Sequence, residues 1–155
     1  AGLVYELNSK LDKREEIRVV QGVTSSISAA ASLGAPLMHD FCQISLSDLM
    51  TDWSLIEKRL ELASMADFVI CIYNPKSKGR PNHLKRAFEI MQAYKPATTP
   101  VGIVKNAGRT NEEKYIKTLE SMDFEVCDMS TMIIVGNKET YIDGDKIITP
   151  RGYGI

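Results

Sequence analysis

Seven consecutive residues, Asp67 to Tyr73 (DFVICIY), form a nearly continuous apolar run that stops at Asn74-Pro75. A strand with one face in water alternates polar and apolar side chains, so an unbroken run of this kind fits a strand covered on both faces. Val101 to Lys105 (VGIVK) and Thr131 to Gly136 (TMIIVG) read the same way. Helical spacing appears between them. Trp53, Ile56, Leu60 and Ala63 share one face behind a cap at Asp52. Leu84, Ala87, Phe88 and Met91 share another, in a helix starting at Pro81 or Asn82 and ending at Lys95-Pro96. Phe41 to Leu46 (FCQISL) reads as a short strand, and so does Ile17 to Val20 leading into Gly22. Asp143-Gly144-Asp145 between two β-rich runs signals a hairpin over Tyr141 to Thr149. Glu113 to Glu120 stays open: Tyr115, Leu119 and Met122 suit a helix, while the β-rich alternation suits a strand. The pattern predicts an α/β fold, a mixed β-sheet flanked by helices.

The 155 residues, 44% hydrophobic and 25% charged, suit one globular domain or one domain plus a fragment of another. A formal net charge of −1 argues against general nucleic-acid binding, which needs a basic face. Cys42, Cys71 and Cys127 are odd in number and lack metal spacing, so free thiols in a reducing compartment are expected. No apolar segment is long enough to span a bilayer, and a cytoplasmic protein is expected. The chain starts at Ala1 without a methionine, and Ala1 to Leu7 (AGLVYEL) reads as a helix with no start signal of its own. A piece of a longer polypeptide is the expectation.

Gly22 to Pro36 (GVTSSISAAASLGAP) is the most suggestive stretch for a site. Thr24, Ser25 or Ser26 can cap a helix built almost entirely of small residues and ending at Gly34. Small side chains admit close approach, and the free N–H groups of a first turn favour polar or anionic atoms. Tight packing with no ligand also accounts for the spacing. In α/β sheets ligands collect at the carboxyl ends of strands. Three predicted ends carry polar or turn residues: Tyr73-Asn74-Pro75, Lys105-Asn106-Ala107-Gly108 and Gly136-Asn137. With Thr24-Ser25 they can surround one cleft.

The chain has no nucleophile elbow, glycine-rich phosphate loop or histidine pair at metal spacing, so no metal site is expected. His39-Asp40 lies in a loop, where an acid–base role competes with a structural hydrogen bond. His83 opens a helix and is expected at the surface. Lys76, Lys78, Arg80, Lys85 and Arg86 either steer an anionic substrate or form a solvated basic face. Lys105 and Arg109, beside a predicted strand end, can face a carboxylate-bearing ligand. Met129 and Met132 are expected in the core.

Together, GVTSSISAAASLGAPLMHDFCQISLSDLMTDW, ADFVICIYNPKSKGR, TPVGIVKNAGR and TMIIVGN with ITPRGY resemble the tetrapyrrole methylases over essentially the whole chain. HDFCQISLSDLMT and YNPKSKGR are most specific to the branch that methylates precorrins in cobalamin biosynthesis. The resemblance implies two α/β domains, with S-adenosyl-L-methionine in the cleft between them, and a homodimer. Residues 1–36 would be the tail of the N-terminal domain, and 41–155 the C-terminal domain of the tetrapyrrole methylase fold. Thr24 and Ser25 match the helix start that contacts the cofactor. Tyr73 with Asn74, and Asn106 with Ala107, match strand ends lining its pocket, and Thr131 and Met132 lie near a third. His39, Lys105 and Arg109 are the candidates for the substrate's carboxylates, and no catalytic residue is assigned. The implied activity is methyl transfer to C-17 of precorrin-3B with ring contraction, leaving S-adenosyl-L-homocysteine. Another acceptor, or a non-catalytic interaction domain, are the alternatives. The family's glycine-rich strand–loop and GDPG-like loop are absent from this sequence, so the isolated chain is expected to be inactive and to expose apolar surface at Ala1 to Leu7 and on the small-residue helix.

Overall fold

In the computed structural model, which describes residues 1–77 and 79–153, helices and strands alternate. The order is α1 (Gly2–Asn8), α2 (Ser25–Leu33), β1 (Gly34–Ala35), β2 (Phe41–Ser45), α3 (Trp53–Met65), β3 (Val69–Tyr73), α4 (His83–Gln92), β4 (Pro100–Lys105), β5 (Glu113–Thr118), β6 (Thr131–Val135), β7 (Tyr141–Asp143) and β8 (Lys146–Ile148). Five strands make the main sheet in the order β2-β3-β6-β4-β5. β2 and β3 are parallel, whereas β6 runs antiparallel to β3 and β4, and β5 antiparallel to β4. Hence β2, β3 and β4 all end on one edge, where β5 and β6 begin. A smaller sheet, β1-β8-β7, completes the mixed α/β architecture.

β3 is covered on both faces, as its unbroken apolar run requires. Ile70 and Ile72 join Ile56 and Leu60 of α3 and Leu84 and Phe88 of α4 in one core. Val69 and Cys71 face the other way, into a second core with Ala29, Ala30 and Leu33 of α2 and Met132 and Ile134 of β6. The alanines of α2 serve close helix–sheet packing. Gly102 in β4 helps: a Cβ there would clash with both Leu33 methyls and stand 3.1 Å from Ile147 Cδ1. Val104 of β4 and Ile147 of β8 complete this second core.

Two local expectations change, and one left open is decided. Ile17 to Val20 is irregular rather than a strand, with Val19 and Val20 50% and 82% exposed. No strand pairs with it among the described residues, and an isolated strand leaves its backbone groups unpaired. Glu113–Thr118 is a strand, paired with all six residues of β4. Long-range pairing decided what periodicity left open. His83, expected at the surface, is only partly exposed. Its ring packs against Trp53 at a tilt of 57°, centroids 4.2 Å apart, and its Nε2 hydrogen-bonds Asp48 at 2.9 Å.

Candidate functional site at the strand ends

The shared edge of β3, β4 and β6 builds a rim. Just beyond β3 and β4 stand Asn74 and Asn106, both left-handed, with φ of 51° and 52°. Asparagine tolerates this conformation better than most residues, and it turns the chain sharply away from the sheet. Between these ends β6 starts at Thr131. The result is a hollow of about 210 Å³. Tyr73 and Asn74 form one wall and Asn106, Ala107 and Arg109 another; Ser25 at the head of α2 and the segment Met129–Met132 close it. Thr24 lies outside the lining.

Thr24 reaches the hollow through Tyr73. Its hydroxyl and the Tyr73 hydroxyl share a hydrogen bond of 2.5 Å, and the Ser26 N–H donates to the same phenol oxygen at 3.2 Å. Thr24 occupies the N-cap position of α2, yet its side chain makes no cap bond of its own. A strand-end tyrosine caps the helix instead. Burial pushes the Tyr73 phenol up, but hydrogen bonds from Ser25, Ser26 and Thr24 outweigh it and hold the group below the ordinary tyrosine value. Tyr73→Phe removes one cap contact while keeping the ring. We expect it to lose about 1 kcal/mol of stability, read as a lower urea midpoint.

Two carboxylates brace the rim. Asp128 Oδ1 accepts hydrogen bonds from Ser130 N–H (2.8 Å), Ser130 Oγ (2.6 Å) and Thr131 Oγ1 (3.1 Å), and Oδ2 pairs with Lys105 Nζ at 3.2 Å. Glu112 accepts from Ser32 Oγ and from the Gly108 N–H, each at 2.5 Å, fastening the loop after β4 to α2. Burial pushes the Asp128 carboxyl up, yet its bonds to Ser130, Lys105 and Thr131 prevail and hold it at about 2. The folded value lies below the ordinary 3.8, so the stabilisation is present above 3.8 and lost as pH falls through about 2. Asp128→Asn should therefore lower the urea midpoint at pH 7, by about 1 kcal/mol after screening of a half-exposed carboxylate. The gap from wild type should close between pH 4 and 2.

The substrate-side candidates do not gather as expected. Arg109 is exposed on the wall of the hollow, and Lys105 stands at the same rim, engaged by Asp128. His39 lies at the opposite edge of the sheet, because it precedes β2 whereas Asn74 and Asn106 follow their strands. There it lines a separate pocket with Asp67 and Asn137, and its Nδ1 accepts the Asp40 N–H at 2.8 Å. Gly136-Asn137 sits at that far edge too, since β6 runs antiparallel. Met129, expected in the core, is 54% exposed on the rim, while Met132 is buried. The basic stretch is not uniformly solvated: Arg80 is buried, donating to the Leu46 carbonyl and Ser77 Oγ. Lys76 pairs with Glu125, Lys85 and Arg86 are exposed, and Lys78 lies outside the described residues. Sequence reasoning missed Asp128, Glu112 and Ser130; a carboxylate two residues before a serine was the available signal for the Asp128 turn. The cysteines are free, and no cluster of three or more His, Cys, Asp or Glu able to hold a metal occurs among the described residues.

Residues 1–123 match the tetrapyrrole (corrin/porphyrin) methylases, and the chain belongs to this family. It is 60% identical over 153 residues to a probable cobalt-factor III C(17)-methyltransferase of Salmonella typhimurium, covering 99% of this chain and 64% of that one. A precorrin-3B C(17)-methyltransferase of a Sinorhizobium species is 45% identical over 91% of this chain and 58% of its own length. The solved structure of the methyltransferase CobJ superposes with a TM-score of 0.83 at 36% identity, over 87% of this chain and 56% of that one. The chain thus spans less than two thirds of the length of these relatives.

Proposed function

We propose that the protein carrying this chain transfers a methyl group from S-adenosyl-L-methionine to C-17 of cobalt-factor III. The observation behind the cofactor part is the convergence of two left-handed asparagines, the first residue of β6 and the head of α2 on one hollow. The choice of acceptor rests on the 60% identity to the Salmonella relative. Precorrin-3B is the second reading, supported by the Sinorhizobium relative at 45%.

The residues present fit part of such a cofactor. The hollow offers neutral amide and hydroxyl groups, and the backbone N–H groups of Asn74 and Ala107 have no partner among the described residues. At about 210 Å³ it falls short of the roughly 300–1,000 Å³ of a complete ligand pocket, which suits one wall of a larger site. Residues 1–36 as the tail of one domain and 41–155 as the other belong to the same reading. When bound, the cofactor supplies a methyl on a cationic sulfur, an electrophile that chiefly requires alignment. This chain's part is therefore to bind and orient. Tyr73, Asn74, Asn106 and Ala107 hold the donor, with Thr24 and Ser25 at the helix head and Thr131 and Met132 opposite. Arg109 and Lys105 attract carboxylates at the rim. A cytoplasmic homodimer completes the proposal, with exposed Leu3, Val4, Leu7 and Val20 as apolar surface for a covering partner.

Incubating the protein with methyl-labelled S-adenosyl-L-methionine and each acceptor tests this. Label in the cobalt-factor III product is expected. Label only with precorrin-3B selects the second reading, and label in neither sinks the proposal.

A further inference from the structure

Ala107 lines the hollow with a backbone whose N–H and C=O both lack a partner among the described residues. Free amide groups serve a ligand well only when their direction is set beforehand, because a loose turn must be ordered on binding. Asn106 and Gly108, which flank Ala107, are both left-handed, with φ of 52° and 74°. Local preference alone does not hold an asparagine there.

The bonds inside this loop fix its ends. The Asn106 N–H donates to the Ser130 carbonyl at 3.1 Å, the Arg109 N–H to the Asn106 carbonyl at 2.9 Å, and the Glu112 N–H to the Arg109 carbonyl at 3.1 Å. The peptide between Ala107 and Gly108 is held by Glu112, whose carboxylate accepts the Gly108 N–H on one oxygen and the Ser32 hydroxyl on the other. A trans peptide is planar, so fixing that N–H also turns the Ala107 carbonyl away from Glu112. The bonds from Ser32 and Gly108 hold the Glu112 carboxyl below its ordinary 4.5, so both oxygens accept at neutral pH. Ser32 stands about 10 Å along α2 from Ser25, which lines the same hollow. The loop also rests on that helix between them: a Cβ on Gly108 would come 3.9 Å from Ser28.

We propose that Glu112 is a positioning residue for the methyl donor. It reaches the ligand only through others: by holding Gly108 and Ser32 together it sets Ala107 and the head of α2 at one spacing. The inference rests on the donor reading above and adds the residue that fixes the geometry of that site.

Calorimetry of the full chain with S-adenosyl-L-homocysteine reads the site, and amide exchange at Gly108 reads the clamp without any ligand. Glu112→Ala should speed Gly108 exchange and weaken binding about tenfold, since small misplacements are costly at an aligned site. Glu112→Gln keeps an oxygen for Gly108 and an amide N–H for the Ser32 hydroxyl, so it should stay within about threefold of wild type. Tyr94→Phe deletes another hydroxyl–carboxylate bond, to Glu61 at 2.6 Å on the outer helices, and should leave binding unchanged. Loss through general destabilisation would not be rescued by glutamine. If Glu112→Ala does not fold, Ser32→Ala, which removes one hydroxyl, should weaken binding about threefold to fivefold. Wild-type affinity in the Ala variant that folds, or unchanged Gly108 exchange, overturns the inference while leaving the donor reading intact. A wild type that binds no S-adenosyl-L-homocysteine, with Gly108 exchange still dependent on Glu112, overturns the donor reading and this inference with it.

Discussion

Lys95→Met is expected to lower stability by about 3–5 kcal/mol, the range seen when one partner of a buried charged pair is removed. The Lys95 side chain is 0% exposed. Its Nζ donates to the Phe68 carbonyl at 2.9 Å and the Gly136 carbonyl at 3.0 Å, and lies 3.4 Å from Asp67 Oδ1. These contacts join the segment after α4 to the start of β3 and the end of β6. Methionine fills the volume but leaves two carbonyls and a carboxylate without their shared donor. Burial lowers the Lys95 pKa, with Asp67 pulling the other way. The folded chain therefore releases this proton at lower pH than the unfolded chain does. The group's contribution to stability rises as pH climbs toward the ordinary 10.5, opposite to an exposed ion-paired lysine. Urea midpoints of wild type and variant at neutral and alkaline pH check both statements. A loss below 1 kcal/mol at pH 7 would show that water replaces the ammonium.

Gly102→Val should cost about 3 kcal/mol and weaken binding in the hollow. A Cβ at residue 102 would lie 2.8 Å from Leu33 Cδ2 and 3.1 Å from Ile147 Cδ1, and Leu33 is 0% exposed in the core it shares with Ile147. The expected relaxation is to lift α2 off β4. That motion pulls Ser26 away from the Tyr73 hydroxyl and Ser32 away from Glu112, so both ties between helix and rim loosen together. Denaturant unfolding should show the stability loss, and calorimetry with S-adenosyl-L-homocysteine the weakened site. A variant as stable as wild type would mean that the glycine is incidental to the packing of α2.

The same two cores show which features could be read in advance. The apolar runs at β3, β4 and β6 identified strands because burial on both faces leaves no polar position, and Leu84, Ala87, Phe88 and Met91 marked the buried face of α4 because 3.6 residues complete a turn. The polar breaks at Asn74 and Asn106 stood out because they interrupt such runs. Strand direction was not legible: TMIIVG buries the same side chains whichever way it runs, and only its pairing with β3 and β4 turned it around. That reversal brought Thr131, rather than Asn137, to the hollow. Asp128 and Glu112 were equally hidden, since their partners Lys105 and Ser32 are remote in the chain. Local spacing determined which residues must leave water, because burial depends on each side chain's own character. Neighbours, directions and the braces at the rim depend on hydrogen bonds between distant segments, and these exist only once the sheet has formed.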